Sequence, residues 1–99
     1  MACWYLYIVR TVDNSMYAGI STDVQRRFRE HCAQGKKTAK YLLAHKPLCL
    51  TFSQALGDRS LALKAEYHFK KLSKKDKDRI VEAQHLVFDQ VSGRIRIPE

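Results

Sequence analysis

The sequence predicts a small α/β domain of the α+β type, in which a mainly antiparallel three-stranded sheet is flanked by helices. Two observations support this fold class: aromatic and β-branched runs over residues 4–10, 16–20 and 48–53, and amphipathic helical patterns between and after them. With 99 residues, the chain is long enough for one domain and too short for two. We therefore expect a single domain over residues 1–85 and a tail, residues 86–99, that forms a short hairpin or lies loose.

The composition is that of a globular protein. Hydrophobic residues make up 45% and charged residues 28%, which excludes collagen-like, low-complexity and wholly disordered classes. The longest apolar run, from Trp4 to Val9, is far shorter than a membrane-spanning helix, and the N-terminus lacks a signal-peptide pattern. We expect a cytoplasmic protein with no membrane partner. Because Cys3, Cys32 and Cys49 form no C-x-x-C pair, we expect reduced, mostly buried thiols.

A strong positive charge is the first functional feature. The chain has 18 Lys and Arg against 10 Asp and Glu, a net charge of +8 that favours a nucleic-acid partner. The cations are concentrated over residues 26–46 and 64–79; solvated helix faces without a ligand are the alternative explanation. The lysines expected to contact nucleic-acid phosphates are Lys36, Lys37, Lys40, Lys70, Lys71, Lys74 and Lys75.

A β-hairpin is predicted at the N-terminal end. Two β-type runs, residues 4–10 and 16–20, are separated by a turn cluster of Asp, Asn and Ser. A five-residue loop would set Tyr7 opposite Gly19 and place it on the same face as Tyr17, whereas a two-residue turn would separate the tyrosines. In the first arrangement, we expect Gly19 to leave room for a phosphate near the Tyr7 phenol.

The first predicted helix begins at a capping box formed by Thr22 and Gln25 and ends near Ala33. Its apolar stripe, repeated every four residues, consists of Val24, Phe28 and Cys32. A shorter helix is expected within residues 38–45, because Pro47 disfavours helical angles in the residue before it.

Two longer helical patterns follow the predicted strand at residues 48–53. Gly57 and Asp58 precede the first of them. Ser73, with Asp76 three residues later, caps a last helix that extends to about residue 84. The apolar stripe of the earlier helix consists of Leu61, Ala65, Phe69 and Leu72.

Five polar residues occupy positions that these apolar patterns do not require. Arg27 and His31 are one helical turn apart and must project from the same side of their helix. Glu66 borders the buried stripe of its helix, and Tyr7 and Tyr17 lie on the hairpin strands. We therefore expect an acid, a cation and two phenols to rim one surface.

Each of these residues also has an ordinary structural explanation. Tyrosines in strands usually serve packing, and Asp23 is spaced to form a surface ion pair with Arg27. Glu66 is likewise spaced to pair with Lys70 on its own helix. Only the joint order of the five residues favours a functional site.

That order resembles the GIY-YIG endonuclease superfamily, and most of all its small stand-alone, single-domain bacterial branch. The resemblance spans about residues 4–80. It rests on Tyr5-Leu6-Tyr7, on Tyr17-Ala18-Gly19, on Asp23, Arg27 and His31, and on the segment from Arg59 to Glu66. Tyr5-Leu6 replaces a Gly-Ile pair, Ala18 replaces Ile, and Ile20 stands where some members have lysine. These departures keep open a second hypothesis, a non-catalytic module that binds nucleic acid through the same basic face.

The resemblance implies a metal-dependent endonuclease that hydrolyses DNA phosphodiester bonds with little sequence specificity, in DNA repair or processing. It implies that Glu66 holds one divalent cation, Mg²⁺ or Mn²⁺, and that Arg27 binds the phosphate. It also implies that a tyrosine assists the attacking water, but Tyr7, Tyr17 and His31 all remain candidates for the proton acceptor. The expected partner is DNA, with RNA as the alternative, and a monomer is the default expectation.

Overall fold

A three-stranded antiparallel sheet forms the centre of the computed structural model, which describes residues 2–97. The strands are β1 (Trp4–Thr11), β2 (Met16–Ser21) and β3 (Pro47–Gly57), in the order β2-β1-β3. The helices of the described part are α1 (Val24–Cys32), α2 (Lys40–Ala44), α3 (Arg59–Lys70) and α4 (Lys74–Ala83). Two short strands, β4 (Val87–Phe88) and β5 (Ile95–Arg96), pair near the C-terminus. This arrangement confirms the predicted α+β fold.

Strand β1 is buried on both faces, which explains its unbroken apolar sequence. Leu6 and Ile8 pack into a core cluster that contains apolar residues of α3 and α4. Tyr7 and Val9, which alternate with them, pack on the opposite face with residues of α1 and α2. The sheet therefore separates two layers of helices, and the odd-numbered residues of β1 face α1 and α2.

The register of the N-terminal hairpin confirms the predicted five-residue loop. Tyr7 pairs with Gly19, Val9 pairs with Tyr17, and the strands are joined by residues 11–15. The Thr11 hydroxyl lies 2.7 Å from the Ser15 hydroxyl, and the Thr11 amide donates to the Ser15 carbonyl at 3.0 Å. These contacts hold the wider loop, so both tyrosines occupy one face of the sheet.

Helix α1 differs from its prediction in two details. Its N-cap is Asp23, whose carboxylate accepts from the Arg26 amide at 3.1 Å, so the expected capping role of Thr22 is wrong. The buried face of α1 includes His31, which is fully buried, and not Cys32, which is exposed. In an α-helix, a residue seven positions along the chain points within about 20° of the first residue, whereas a residue eight positions along points about 80° away from it. His31 therefore lies beneath Val24, and Cys32 does not.

The later elements follow their sequence signals closely. The Asp58 side chain caps α3 by accepting from the Leu61 amide at 2.8 Å, and Ser73 caps α4 by accepting from the Asp76 amide at 3.2 Å. Strand β3 is longer than the predicted 48–53, because its pairing with β1 continues through three register shifts.

All three cysteines are exposed, so the expectation of mostly buried thiols is wrong. Cys3 precedes β1, Cys32 ends α1 on its solvent side, and Cys49 lies on β3, an edge strand. Each is a free thiol rather than part of a disulfide.

The C-terminal segment forms a hairpin that packs against the domain. Leu86 belongs to the core cluster shared with α3, and its backbone amide and carbonyl each bond to the Gln54 side chain at 2.8 Å. Gly93, at φ +72°, lies so close to α3 that an added Cβ would meet Lys64 Cβ at 2.6 Å. Residues 98 and 99 of the predicted tail lie outside the described residues. Within residues 2–97, no helix is long and apolar enough to cross a membrane.

Candidate functional site

Tyr7 and Tyr17 lie side by side on the face of the sheet that α1 covers. Their ring centroids are 6.3 Å apart, as expected for diagonal neighbours on adjacent strands. Opposite Tyr7, Gly19 is buried, and an added Cβ would lie 2.5 Å from Tyr7 Oη and 2.7 Å from Cζ. The space that Gly19 leaves is therefore filled by the Tyr7 phenol itself, which corrects the expectation that it admits a phosphate.

His31 reaches the Tyr7 hydroxyl from α1. Its Nε2 atom lies 2.7 Å from Tyr7 Oη, and its ring meets the Tyr17 ring edge-on at a centroid distance of 5.4 Å. The His31 side chain is fully buried because the helical period places it on the inner face of α1. Two phenols and one imidazole thus form a single packed group.

The protonation of the His31 ring follows from its second contact. The Ala39 backbone amide donates to His31 Nδ1 at 3.2 Å, and an amide N–H can only donate. Burial, followed by the charge of Arg27, lowers the pKa of His31 from 6.5 to about 4, so the ring is neutral at pH 7. A neutral ring with a bare Nδ1 carries its proton on Nε2. His31 therefore donates to Tyr7 Oη and has no free lone pair with which to take a proton from it.

Arg27 lies one turn before His31, on the same side of α1. Its Nη1 donates to Glu30 Oε1 at 3.0 Å and to the Lys37 carbonyl at 2.5 Å. The expected ion pair of Asp23 with Arg27 is not formed; Asp23 instead lies 4.0 Å from Arg26 Nε. The Arg27 charge acts to lower the pKa of both phenols and of the buried imidazole, which places the guanidinium beside all three.

Glu66 approaches the phenols from α3. Its side chain is 21% exposed and lies 3.8 Å from Lys70 Nζ, the ion pair that its helical spacing predicts. The Glu66 charge acts to raise the pKa of Tyr7 and of Tyr17, so the carboxylate lies within electrostatic reach of both phenols. Tyr7, Tyr17 and His31 are thus in contact, and the charges of Arg27 and Glu66 act on both phenols.

Burial dominates the electrostatics of both phenols. It is the largest cause of the raised pKa of Tyr7 and of Tyr17, and the neighbouring phenol raises that of Tyr7 further. Both hydroxyls therefore keep their protons at neutral pH in the free protein. Any role as a proton acceptor requires additional positive charge or the loss of negative charge nearby.

Glu66 is the carboxylate at this surface that would coordinate a metal ion. Within residues 2–97, no three His, Cys, Asp or Glu side chains are grouped as a metal cluster. A single carboxylate suits Mg²⁺ or Mn²⁺, since hard cations of this kind keep several waters and complete their shell with substrate phosphate. The donor set therefore fits a substrate-assisted divalent cation and does not fit a structural zinc site.

Only some of the predicted lysines lie beside the phenol pair or the hairpin tip. Lys70 Nζ is 5.9 Å from the centre of the Tyr17 ring, and Lys74 Nζ donates to the Asn14 carbonyl at the hairpin tip at 3.3 Å. Lys71 instead lies over the Tyr67 ring at 4.4 Å, away from the phenol pair. The remaining lysines, all exposed to solvent, are Lys36, Lys37, Lys40 and Lys75.

Two aromatic residues beside the site were not predicted from the sequence. The Tyr41 ring lies 6.1 Å from the Tyr17 ring at an angle of 25°, and the His45 ring lies 4.3 Å from Tyr41 at 22°. The four-residue spacing of Tyr41 and His45 was a signal that they share a helix face. Their position next to Tyr17 depends on how α2 docks on the hairpin, which no local pattern reveals.

The chain is similar to known proteins in sequence and in fold. Residues 3–79 match the sequence profile of a family described as the GIY-YIG catalytic domain. The chain is 48% identical over 99 residues to the UPF0213 protein YhbQ of Escherichia coli strain 536, covering 100% of this chain and 96% of that protein. The solution NMR structure of the UPF0213 protein BH0048 from Bacillus halodurans is similar with a TM-score of 0.53 and 34% identity, over 83% of this chain and 85% of that one. The five predicted site residues all lie inside the matched family segment.

Proposed function

The chain belongs to the GIY-YIG family of nuclease domains, and from this premise we propose that it is a metal-dependent endonuclease that hydrolyses DNA phosphodiester bonds. We further propose that it has little sequence specificity and acts in DNA repair or processing in the cytoplasm. The observation that carries the proposal is the convergence of two phenols, a guanidinium, an imidazole and a carboxylate from the hairpin, α1 and α3. Each singly has a structural explanation, whereas their meeting at one surface matches the needs of phosphodiester hydrolysis.

Arg27 is assigned to the scissile phosphate. Its Nη1 is held by Glu30 and Lys37, which orients the planar guanidinium and leaves the donors on Nε and Nη2 for phosphate oxygens. A donor fork fixed in advance stabilises charge as it grows on those oxygens, without reorganisation during the reaction.

Tyr7, once its own proton has left to solvent past Tyr17, is assigned as the phenolate that accepts the proton from the attacking water. His31 donates to its oxygen through Nε2, so a Tyr7 phenolate would keep that hydrogen bond and gain the attraction of Arg27. Because Tyr7 is buried, water would reach it beside Tyr17, the half-buried phenol at the edge of the site. His31 is then a positioning residue, since its second nitrogen is bound to the Ala39 amide.

Glu66 is assigned to Mg²⁺ or Mn²⁺, which supplies Lewis-acid stabilisation of the leaving oxygen when bound. The charge of Glu66 raises the pKa of both phenols. Neutralisation of that charge would therefore lower the pKa of the proton acceptor at the same time. One carboxylate thus couples cation binding to the readiness of Tyr7.

The exposed lysines support contact with the nucleic-acid backbone rather than with bases. Lys70 and Lys74 lie beside the phenol pair and the hairpin tip, where a bound strand would pass. Phosphate contacts carry no sequence information, which is the reason for proposing little sequence specificity. The same contacts would be available to RNA, which we retain as an alternative partner.

A plasmid-nicking assay tests the proposal. Purified protein is incubated with supercoiled DNA in Mg²⁺ or Mn²⁺, with EDTA as the metal control and Glu66→Gln as the site variant. Glu82→Gln is the matched control, because Glu82 is an exposed glutamate on α4 outside the site. We expect nicking by the wild type and Glu82→Gln only. Equal nicking by Glu66→Gln would mean that a contaminant or another site is responsible.

The second candidate function is a nucleic-acid-binding module without hydrolysis. The raised pKa of both phenols favours it, because protonated phenols are poor bases at neutral pH. This candidate predicts salt-sensitive binding of DNA or RNA with no nicking on any DNA form in either metal.

A further inference from the structure

A row of three aromatic rings leads away from the candidate active site. Tyr17, Tyr41 and His45 follow one another with centroid distances of 6.1 Å and 4.3 Å and with angles of 25° and 22° between neighbouring planes. Tyr41 is 40% exposed, so the row is open to solvent. His45 Nδ1 is fixed at 2.6 Å from Asp13 Oδ2 in the hairpin loop. The row is thus held at both ends, by the sheet and by the loop.

A cavity of about 300 Å³ lies beside this row, between the hairpin tip, α2 and α4. Its volume is at the lower end of the range for small-molecule sites, so it has room for one nucleotide-sized group. Tyr41 and Met16 provide aromatic and thioether surface, and Asn14 and Ser15 provide polar groups. The residues that line it are Asn14, Ser15, Met16, Tyr41, Lys74 and Lys77.

The charges around the cavity favour an anion. Lys74 and Lys77 are three residues apart on α4, which is nearly one helical turn, and both line the cavity. Among the acids of the surrounding elements, Asp13 is partnered by His45 at 2.6 Å and Asp78 by Arg10 at 3.8 Å, while Asp76 and Glu82 of α4 do not line the cavity. A phosphate that enters the cavity would meet the ammonium groups of Lys74 and Lys77 and no unpaired carboxylate from Asp13 or Asp78.

We propose that this cavity is a subsite for one unpaired nucleotide next to the scissile linkage. The preferred substrate is therefore a nucleic acid with a single-stranded segment at the cut, such as a gap or flap, over a continuous duplex. This inference rests on the proposed function, because it is the nuclease site at Tyr17 that defines the scissile linkage.

The chemistry of nucleotides supports this assignment. A base in a continuous duplex is paired and stacked on both faces, so it has no surface to offer to a protein ring unless it is extruded. An unpaired base can contact aromatic side chains while its phosphate is bound by lysine, which is the usual way in which proteins hold single strands. Tyr41 and Met16 would take the base, and Lys74 and Lys77 the phosphate.

Binding measured without cleavage separates this inference from the proposed function. The protein carries Glu66→Gln throughout, and fluorescence anisotropy compares a single strand, a gapped duplex and a continuous duplex of equal length. We expect Tyr41→Leu, which keeps apolar bulk without a ring, to weaken binding of the first two about five- to a hundredfold. Binding of the continuous duplex should change less than twofold. Leu43→Ala is the matched control, since Leu43 is 48% exposed on the same helix and does not line the cavity.

A fluorescent 2-aminopurine base in the single-stranded segment gives a direct reading of ring contact. We expect its emission to be quenched on binding to the Tyr41-containing protein and much less quenched with Tyr41→Leu, while Tyr41→Phe behaves like the unaltered ring.

The inference is overturned if Tyr41→Leu leaves single-strand binding unchanged or weakens binding of all three ligands equally. In the first case Tyr41 and His45 only pack α2 on the hairpin. Nicking by the wild type that favours continuous duplex would leave the nuclease proposal standing and remove this one.

Discussion

The His31 ring donates to Tyr7 Oη through Nε2, at 2.7 Å, because the Ala39 amide occupies Nδ1 on its other side. The direction of this hydrogen bond is thus set by the backbone of the segment before α2 and not by the phenol. It leaves the Tyr7 proton free to point away from His31. The two residues form a fixed pair in which the imidazole supports negative charge on the phenol oxygen without exchanging a proton with it.

The tautomer can be observed directly by ¹⁵N NMR of labelled histidine. At pH 7 we expect His31 to show a protonated Nε2 and an unprotonated, hydrogen-bonded Nδ1. A proton on Nδ1, or rapid exchange between the two nitrogens, would contradict the direction of the bond. The pattern should persist in Glu66→Gln, because Glu66 makes no hydrogen bond to the ring.

Replacement of His31 should separate hydrogen bonding from general-base function. In His31→Gln the side-chain amide can still donate near Tyr7 Oη, so we expect nicking to fall by about tenfold or less. In His31→Ala the donor is lost, and we expect a loss of about a hundredfold or more, since a buried oxygen is left without its partner. The measurement is the nicking rate at saturating metal. Equal, complete loss in both variants would instead indicate that His31 itself accepts a proton.

Stability should depend on pH through His31. Its pKa is lowered in the folded state to about 4 from 6.5, so between these values the unfolded chain binds a proton that the folded chain does not. The free energy of unfolding therefore decreases as pH falls from 6.5 towards 4, and this group has no effect above 6.5. Between pH 7 and pH 5 we expect the thermal midpoint of the wild type to fall by about 5 °C more than that of His31→Gln.

The window from pH 7 to pH 5 isolates this effect. The pKa values of Asp13, Glu30 and Asp89 are lowered, so these carboxylates titrate below it. They stabilise the fold above their unfolded pKa values, and that contribution is lost only as the pH falls further. Parallel pH curves for the wild type and His31→Gln over the window would show that His31 is not the buried neutral group described here.

Local signals were sufficient to predict the element order, whereas the hairpin register followed from the five-residue loop that a shared face for the two tyrosines requires. Asp58 and Ser73 cap helices where their spacing indicates, and the loop length alone fixes the face of Tyr7 and Tyr17. The positions of the residues suggested that Glu66 and the hairpin tyrosines share a surface, but only the family resemblance favoured that interpretation, because periodicity does not show which helix covers which strand edge. Residue order within a known family thus carried the tertiary information that propensity lacks.

The errors have physical causes that are specific to their residues. Counting the α1 stripe in steps of four placed Cys32 inside, whereas the 3.6-residue period places His31 there. The expectation that Gly19 admits a phosphate is wrong because the Tyr7 ring, across the strand pair, fills that space itself. The Tyr41 ring was missed because its contact with Tyr17 requires the docking of α2, a long-range event.

Gly19 should be intolerant of any side chain. In Gly19→Ala the new Cβ would lie 2.5 Å from Tyr7 Oη, so the phenol must move and its bond to His31 must weaken. We expect a loss of about 1–3 kcal/mol in the free energy of unfolding, the usual cost of overpacking a core, together with most of the nicking activity. Urea denaturation gives the first quantity.

Gly35→Ala is the matched control for this substitution. An added Cβ at Gly35 meets no atom within 4 Å, so we expect the same chemical change to be neutral or to stabilise the protein by up to about 1 kcal/mol. Similar urea midpoints for the two alanine variants would show that Tyr7 does not occupy the space beside Gly19.

Glu66→Gln should change the phenols without changing the fold. The carboxylate raises the pKa of Tyr7 and of Tyr17 through its charge, so an uncharged side chain of equal size should lower both values. An ultraviolet titration of tyrosinate absorption, carried out without metal, should show Tyr17 ionising at lower pH than in the wild type. The ion pair of Glu66 with Lys70, at 3.8 Å, is a surface i,i+4 pair, so the free energy of unfolding should change by less than about 0.5 kcal/mol. Loss of nicking together with this titration shift and an unchanged fold would assign the defect to the carboxylate itself. Identical tyrosine titrations in the wild type and in Glu66→Gln would mean that Glu66 does not lie near the phenol pair.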